Sequence, residues 1–308
     1  TISKMHLRTL QQPPEEAAQY GYFKPIFNIN EKYHEDMKVP HPIIGAEWIP
    51  TRGMRDPLTT GVMKSAPENW KNRYYQGIDP INSETGHSRF SSTIWDDYEC
   101  EIAHEIYYRE RDFKMCYIQS LLQRIYYSKD GRTIPWLLEN NIGDDCFQFF
   151  ELLGYGKGYV PNLLLPPALR SVSNGGKHWG ISKKINNAGR LVEALADMLD
   201  KFHQNILILA FWINMKTYIQ IDLNSQTHRQ TRYGPQNKHK DFDDNLDSAT
   251  FAYIAASCYP RNTPESLEIT EDLDRTKLKR VRVGGQLVMR YVNSNGRIVG
   301  KPKGRKKL

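Results

Sequence analysis

The sequence predicts an α/β fold, a mixed sheet flanked by helices, on three observations. Three strand-like runs follow one another between Tyr74 and Arg109; a helix-period run and a short apolar run come next; and helical segments then continue to Ser257. Strands first, then helix alternating with strand, give a sheet that begins as an antiparallel three-strand meander and continues with parallel strands. With 308 residues, 39% of them hydrophobic, the chain has material for one large domain with appendages.

Residues 1–70 hold eight of the 17 prolines, Pro13, Pro14, Pro25, Pro40, Pro42, Pro50, Pro57 and Pro67. Proline lacks the backbone donor and fixes φ, so this spacing opposes long helices and central strands and predicts an extended, irregular segment. Its aromatics, among them Tyr20, Tyr22, Phe23, Phe27, Trp48 and Trp70, predict that it lies against a globular surface or a neighbour.

From Arg73 the texture changes. Tyr74 to Asp79, Ser88 to Trp95 and Ile102 to Arg109 read as strands, the first two separated by the turn-rich stretch Asn82 to His87. Phe113, Tyr117, Ile118, Leu121, Leu122 and Ile125 then recur at helical spacing until Asp130-Gly131 breaks the pattern. Ile134 to Leu138 is a short apolar run of the kind found in a buried parallel strand. Helical signal returns over Asp144 to Leu153 and again after Asn186, where Leu191, Leu195, Met198, Leu199 and Phe202 share a face; a loop rich in Pro, Gly and Asn, residues 154–180, lies between them. The last strong helix runs from Asp243 to Ser257 and is ended by Pro260.

The net charge of +7 is a property of the C-terminal end. Residues 275–308 carry twelve Lys/Arg and no acid, which leaves 30 basic against 35 acidic side chains in residues 1–274. A basic tail on a mildly acidic body predicts a polyanionic partner, because neutralised phosphates release condensed counterions. Val281-Arg-Val283, Gly284-Gly285 and Leu287 to Val292 give a hairpin signal inside that tail. Its candidate DNA-contacting residues are Lys279, Arg280, Arg282, Arg290, Arg297, Lys301, Lys303, Arg305, Lys306 and Lys307; the alternative is a solvated tail that serves solubility. The expected organisation is a Pro-rich segment over 1–70, a main domain over 71–260 and a basic tail over 261–308. The four cysteines show neither zinc-site pairing nor disulfide-scaffold density and read as free thiols of a reducing compartment. No run reaches the roughly 18 to 20 apolar residues of a membrane-spanning helix, and no signal peptide is visible.

Chemistry is concentrated in carboxylates at the ends of elements. Asp79 closes the first strand before Pro80, Glu139 follows the apolar run that ends at Leu138, and Asp241, Asp243, Asp244 and Asp247 cluster at the start of the last helix. Asp244 and Asp247 are three residues apart and project on one face of the first turn. One or two such acids complement the helix dipole, but several crowded carboxylates repel one another unless a cation lies between them. Oxygen-only ligand sets suit Mg²⁺ or Mn²⁺, and two such ions about 4 Å apart support phosphodiester hydrolysis. No P-loop, Gly-x-Gly-x-x-Gly or His-Glu-x-x-His motif competes.

In order and spacing these residues resemble the C-terminal nuclease domain of the large terminase subunit of tailed bacteriophages, an RNase H-like fold of the integrase and resolvase superfamily. Tyr75-Gln-Gly-Ile-Asp79-Pro resembles the first catalytic strand, Leu138-Glu139-Asn140-Asn141-x-Gly143 the Glu-Asn-Asn-x-Gly signature, and Asp243-Asp244-x-x-Asp247-Ser-Ala the Asp-Asp-x-x-Asp-Ala-Leu motif. Gly180-Ile-Ser-Lys-Lys is similar to the segment that follows the middle motif. Two departures are Phe242, where many members carry His, and Ser248-Ala-Thr, where many carry Ala-Leu. Over residues 70–258 the resemblance implies a two-metal DNA endonuclease that cuts concatemeric viral DNA during packaging. It implies Asp79, Glu139 and Asp244 as catalytic residues, with Asp243 and Asp247 as further ligands of Mg²⁺ or Mn²⁺. Implied partners are double-stranded DNA, the terminase ATPase part, the small subunit and the portal, in the cytoplasm of an infected bacterium and with no membrane. Lacking a phosphate-binding loop, the chain is expected to be a nuclease fragment without ATPase activity, residues 1–70 standing for the end of the ATPase part or its linker. A junction resolvase or transposase of the same superfamily, and a non-catalytic DNA-binding module, are the alternatives.

Overall fold

A computed structural model describes residues 19–28, 42–53, 59–68, 73–82, 88–110, 112–128, 133–170, 179–183, 185–224, 229–235, 243–260, 277–283, 286–292 and 298–299. The chain divides into two units, Thr1–Pro260 and Arg261–Leu308.

In the first unit, β4 (Tyr74–Asp79), β5 (Phe90–Asp96) and β6 (Glu101–Tyr108) form the predicted antiparallel meander. Helix α1 (Phe113–Tyr127) carries the chain away from β6, and β7 (Trp136–Leu138) returns parallel to β4. The order β6-β5-β4-β7 is that of an RNase H-like sheet. Asp112 opens α1 by accepting a hydrogen bond from the Lys114 amide, as an N-cap should.

Strands β4 and β5 are buried along their whole length, because helices cover both faces. Side chains alternate across a strand, so β4 sends Tyr75 to one core and Ile78 to the other. On Tyr75's side the sheet meets α3 (Ile185–Phe202), α4 (Leu209–Thr217) and α5 (Asp244–Ser257) through Leu195, Met198, Phe211, Leu246 and Ala252. On Ile78's side it meets α1 and α2 (Asp144–Leu152) through Tyr117, Leu121, Leu122, Phe147 and Phe150. Gly77 lets α5 come down onto β4: a Cβ there would lie 2.0 Å from the Ser248 carbonyl oxygen and 2.3 Å from the Ala252 amide nitrogen.

Residues 19–27, 43–50 and 61–63 depart from the irregular path that the prolines of this region predict. Strands β1 (Gln19–Phe27), β2 (Ile43–Pro50) and β3 (Gly61–Met63) join the same sheet, which runs β2-β1-β3-β6-β5-β4-β7. Pro25 is accommodated because it lies where β1 has β2 alone as a strand neighbour; β3 pairs only with Gln19, Tyr20 and Gly21. Beyond β3 the free edge of β1 is taken by a side chain. The Phe23 amide donates to Gln119 Oε1 and Gln119 Nε2 donates to the Phe23 carbonyl, both at 2.8 Å.

Strands β8 (Tyr218–Asn224) and β9 (Arg229–Pro235) form a hairpin that the sequence pattern did not announce. In the second unit, β10 (Lys277–Val283) and β11 (Gln286–Val292) pair antiparallel, with Val283 opposite Gln286, and β12 (Ile298–Val299) adds to β11. Among the described residues no helix is long and apolar enough to cross a membrane.

Candidate active site

The register of β4 against β7 sets the first two acids side by side. Ile78 is opposite Leu138, so Asp79 and Glu139 follow at the same end of the sheet, and the Glu139 amide donates to the Ile78 carbonyl at 3.2 Å. Alternation gives both the parity of Tyr75 and Leu137, the face covered by α5. On that face α5 begins, with Asp243 at its N-cap and Asp244 and Asp247 in its first turn. The close approach at Gly77 is what brings this turn to the strand ends.

A basic group completes the cluster. Residues 179–183 extend the sheet past β7 by a short parallel bridge, in which the Ile181 amide donates to the Leu138 carbonyl at 2.8 Å and the Asn140 amide to the Ile181 carbonyl at 2.9 Å. Gly180 turns this segment in the left-handed region, φ +78°, tight against Asn140 and the Leu138 carbonyl. Three residues on, Lys183 places its Nζ 2.6 Å from Asp247 Oδ2, 3.0 Å from Asp79 Oδ2 and 3.2 Å from Glu139 Oε2. Asn141 Nδ2 donates to Glu139 Oε1 at 3.0 Å, and Ser182 Oγ donates to Asn141 Oδ1 at 3.0 Å, so Glu139 is oriented from behind. Asp244 Oδ2 accepts from the Arg89 amide at 3.0 Å.

Burial dominates the electrostatics. It pushes Asp79 well above the usual carboxylate range against the pull of Lys183, with Glu139, Asp247 and Asp244 raising it further. Burial likewise lifts Asp247 to about 7 and Asp244 to about 6, each opposed by Lys183. For Lys183 burial works against the charge, but Asp247, Asp79 and Glu139 outweigh it and hold its ammonium well above the ordinary lysine range. Such a cluster is costly unless a cation satisfies it.

The donor set fits a hard divalent cation: it consists of carboxylate oxygens, and three of them already converge on one positive centre. The spacing is that of an ammonium, wider than the roughly 2.1 Å of a Mg²⁺–oxygen bond. Among the described residues, no three His, Cys, Asp or Glu side chains close tightly enough to hold a metal ion as they stand.

Of the residues expected from sequence, Asp79, Glu139 and Asp247 meet at Lys183, while Asp244 Oδ2 accepts from the Arg89 amide and Asp243 occupies the N-cap position of α5. Lys183, Asn141 and Ser182 received no role from the sequence, although all three lie in motifs that the sequence displays. The signal that could have found Lys183 is the need of several buried acids for one cation. Of the tail residues, Lys279, Arg280, Arg282 and Arg290 fall on the β10–β11 ladder, with Lys279 opposite Arg290; Arg297, Lys301, Lys303, Arg305, Lys306 and Lys307 lie outside the described residues.

No protein-family model matches the chain, and no curated protein matches it. Solved structures do. The chain is similar to the large terminase nuclease from thermophilic phage G20c at 12% identity, with a TM-score of 0.45 over 63% of this chain and 87% of that one. The same nuclease with bound magnesium gives 12% identity and a TM-score of 0.44 over 63% and 86%. The large terminase nuclease domain of Thermus phage P74-26 gives 12% identity and 0.43 over 63% and 84%.

Proposed function

We propose that the chain is a divalent-metal-dependent DNA endonuclease of the large terminase type, cutting concatemeric viral DNA during genome packaging in the cytoplasm of an infected bacterium. The observation that carries this reading is the convergence of Asp79, Glu139 and Asp247 on one cation position at the end of β4 and β7, with Asp244 and Asp243 beside it. The motif order of the sequence supports it independently.

In this reading Asp79, Glu139, Asp244 and Asp247, with Asp243 at the margin, hold Mg²⁺ or Mn²⁺. Two such ions, when bound, activate a water and stabilise the leaving oxygen of a phosphodiester. The chain's own residues supply position. Asp79 is fixed by its strand, Glu139 is held in one orientation by Asn141 and Ser182, and Asp247 is carried by a helix packed backbone to backbone on β4. Double-stranded DNA is the substrate, with the basic tail as its electrostatic contact. The terminase ATPase part, small subunit and portal are the partners that this role requires.

The test is conversion of supercoiled plasmid to nicked and linear forms with Mg²⁺ or Mn²⁺, beside EDTA and beside Asp79→Asn. Cleavage that needs the ion and Asp79 supports the reading; cleavage unaffected by either, or none with both ions present, overturns it.

A further inference from the structure

We propose that Lys183 is a built-in counter-cation that holds the acidic cluster together without metal and that a divalent ion must displace. The inference rests on the reading of Asp79, Glu139 and Asp247 as metal ligands, and goes beyond it by making metal loading an exchange of one cation for another.

Stoichiometry is the first argument. An ammonium has three N–H donors, and Lys183 Nζ has three carboxylate oxygens within 3.2 Å, one each from Asp79, Glu139 and Asp247. The ammonium therefore occupies the shared focus of these acids rather than bridging two of them at the rim. The second argument is steric and electrostatic. An ion bonded at about 2.1 Å to the same three oxygens would need the lone pairs that now face Nζ and would set a second positive centre beside the ammonium, so the two compete for one set of acids.

The third argument concerns how the ammonium can leave. The backbone on which Lys183 rides is tied to the sheet through Ile181, and Ser182 is tied to Asn141. The lysine stem beyond Cα is a flexible four-carbon chain that carries a compact charge. Withdrawal therefore requires rotamer changes in one side chain and leaves Glu139 and its Asn141 support in place. Without the ammonium, three buried carboxylates would face one another uncompensated, which favours protonation or local opening. Lys183 thus preserves the geometry of the cluster before the ion arrives, at a cost in affinity for that ion.

The test compares wild type, Lys183→Met and Lys183→Arg, with Mn²⁺ binding followed by the electron paramagnetic resonance signal of the free ion. Lys183→Met should bind Mn²⁺ roughly tenfold more tightly or better, within the usual range of coupling between two competing ligands. It should also melt at lower temperature than wild type in EDTA and regain that loss when Mn²⁺ is added. Lys183→Arg should bind Mn²⁺ no more tightly than wild type. Mn²⁺ affinity equal in wild type and Lys183→Met overturns the exchange while leaving the metal site intact. No saturable Mn²⁺ binding by either overturns the exchange and the metal-ligand reading together. Should Lys183→Met fail to fold, wild type alone decides: acylation of the Lys183 amine, read by peptide mass spectrometry, should rise when Mg²⁺ is added, and an unchanged or lower yield overturns the proposal.

Discussion

A Cβ on Gly77 would lie 2.0 Å from the carbonyl oxygen of Ser248, so strand β4 and helix α5 meet without any side chain between them. The neighbouring atoms are backbone and cannot swing aside. Gly77→Ala should therefore destabilise the protein by about 2 kcal/mol or more, the upper part of the range for overpacked cores, measured by urea unfolding. It should also impair cleavage, because α5 carries Asp244 and Asp247. Gly189→Ala is the matched control: nothing lies within 4 Å of its added Cβ, and in the second turn of α3 it should stabilise by about 0.5 to 1 kcal/mol.

Asp79→Asn and Glu139→Gln preserve shape and remove one carboxylate each. Each should lower the cleavage rate by roughly a hundredfold or more, the scale on which removal of a single transition-state contact acts. DNA binding, measured by fluorescence anisotropy, should change little, since positioning on the phosphate backbone rests on cations. Asn141→Ala, which removes the support behind Glu139, should weaken metal affinity by roughly tenfold.

Glu105, buried on β6, accepts a hydrogen bond from Asn245 Nδ2 at 3.2 Å, and burial raises its pKa to about 8. The folded protein keeps this proton to higher pH than the unfolded chain does. Its contribution to stability is therefore complete below the unfolded carboxylate value and is lost as pH rises through about 8. Glu105→Gln keeps the shape and has no proton to lose. Melting temperatures measured from about pH 5 to pH 9 should decline less steeply for this variant than for wild type.

Deletion of residues 275–308 removes twelve positive charges and no negative ones. Nonspecific DNA affinity should fall, and the slope of log K against log salt should become shallower by roughly one unit for each phosphate that the tail had neutralised. An unchanged slope would show that the tail does not touch the phosphate backbone.

The half of the fold that carries the candidate site was legible because each of its signals is local. The period of α1, the apolar run of β7 and the turn after Asp79 all depend on neighbours in sequence. Strands β1 to β3 were not legible, because what stabilises them is remote: β3 pairs with β6, and Phe23 is bonded to Gln119 across 96 residues. Prolines there read as strand breakers, yet Pro25 sits where only one neighbour needs a donor. Asp79, Glu139 and the helix acids were visible as residues at element ends. Lys183 was not, since lysines are common and its meaning arises from three acids brought together by a parallel register, a helix start and a short bridge.

The placement of β3 beside β6 bears on where this domain could be shortened. A chain begun at residue 71 would keep every candidate catalytic residue yet strip β6 of β3, its partner on one edge. It would expose a row of unsatisfied backbone groups and uncover the surface that Phe23 and Met63 now shield. Such a bare edge invites pairing with another copy, so the truncated protein should self-associate rather than remain dispersed. The proline-rich stretch is, in this sense, the body's own guard against aggregation.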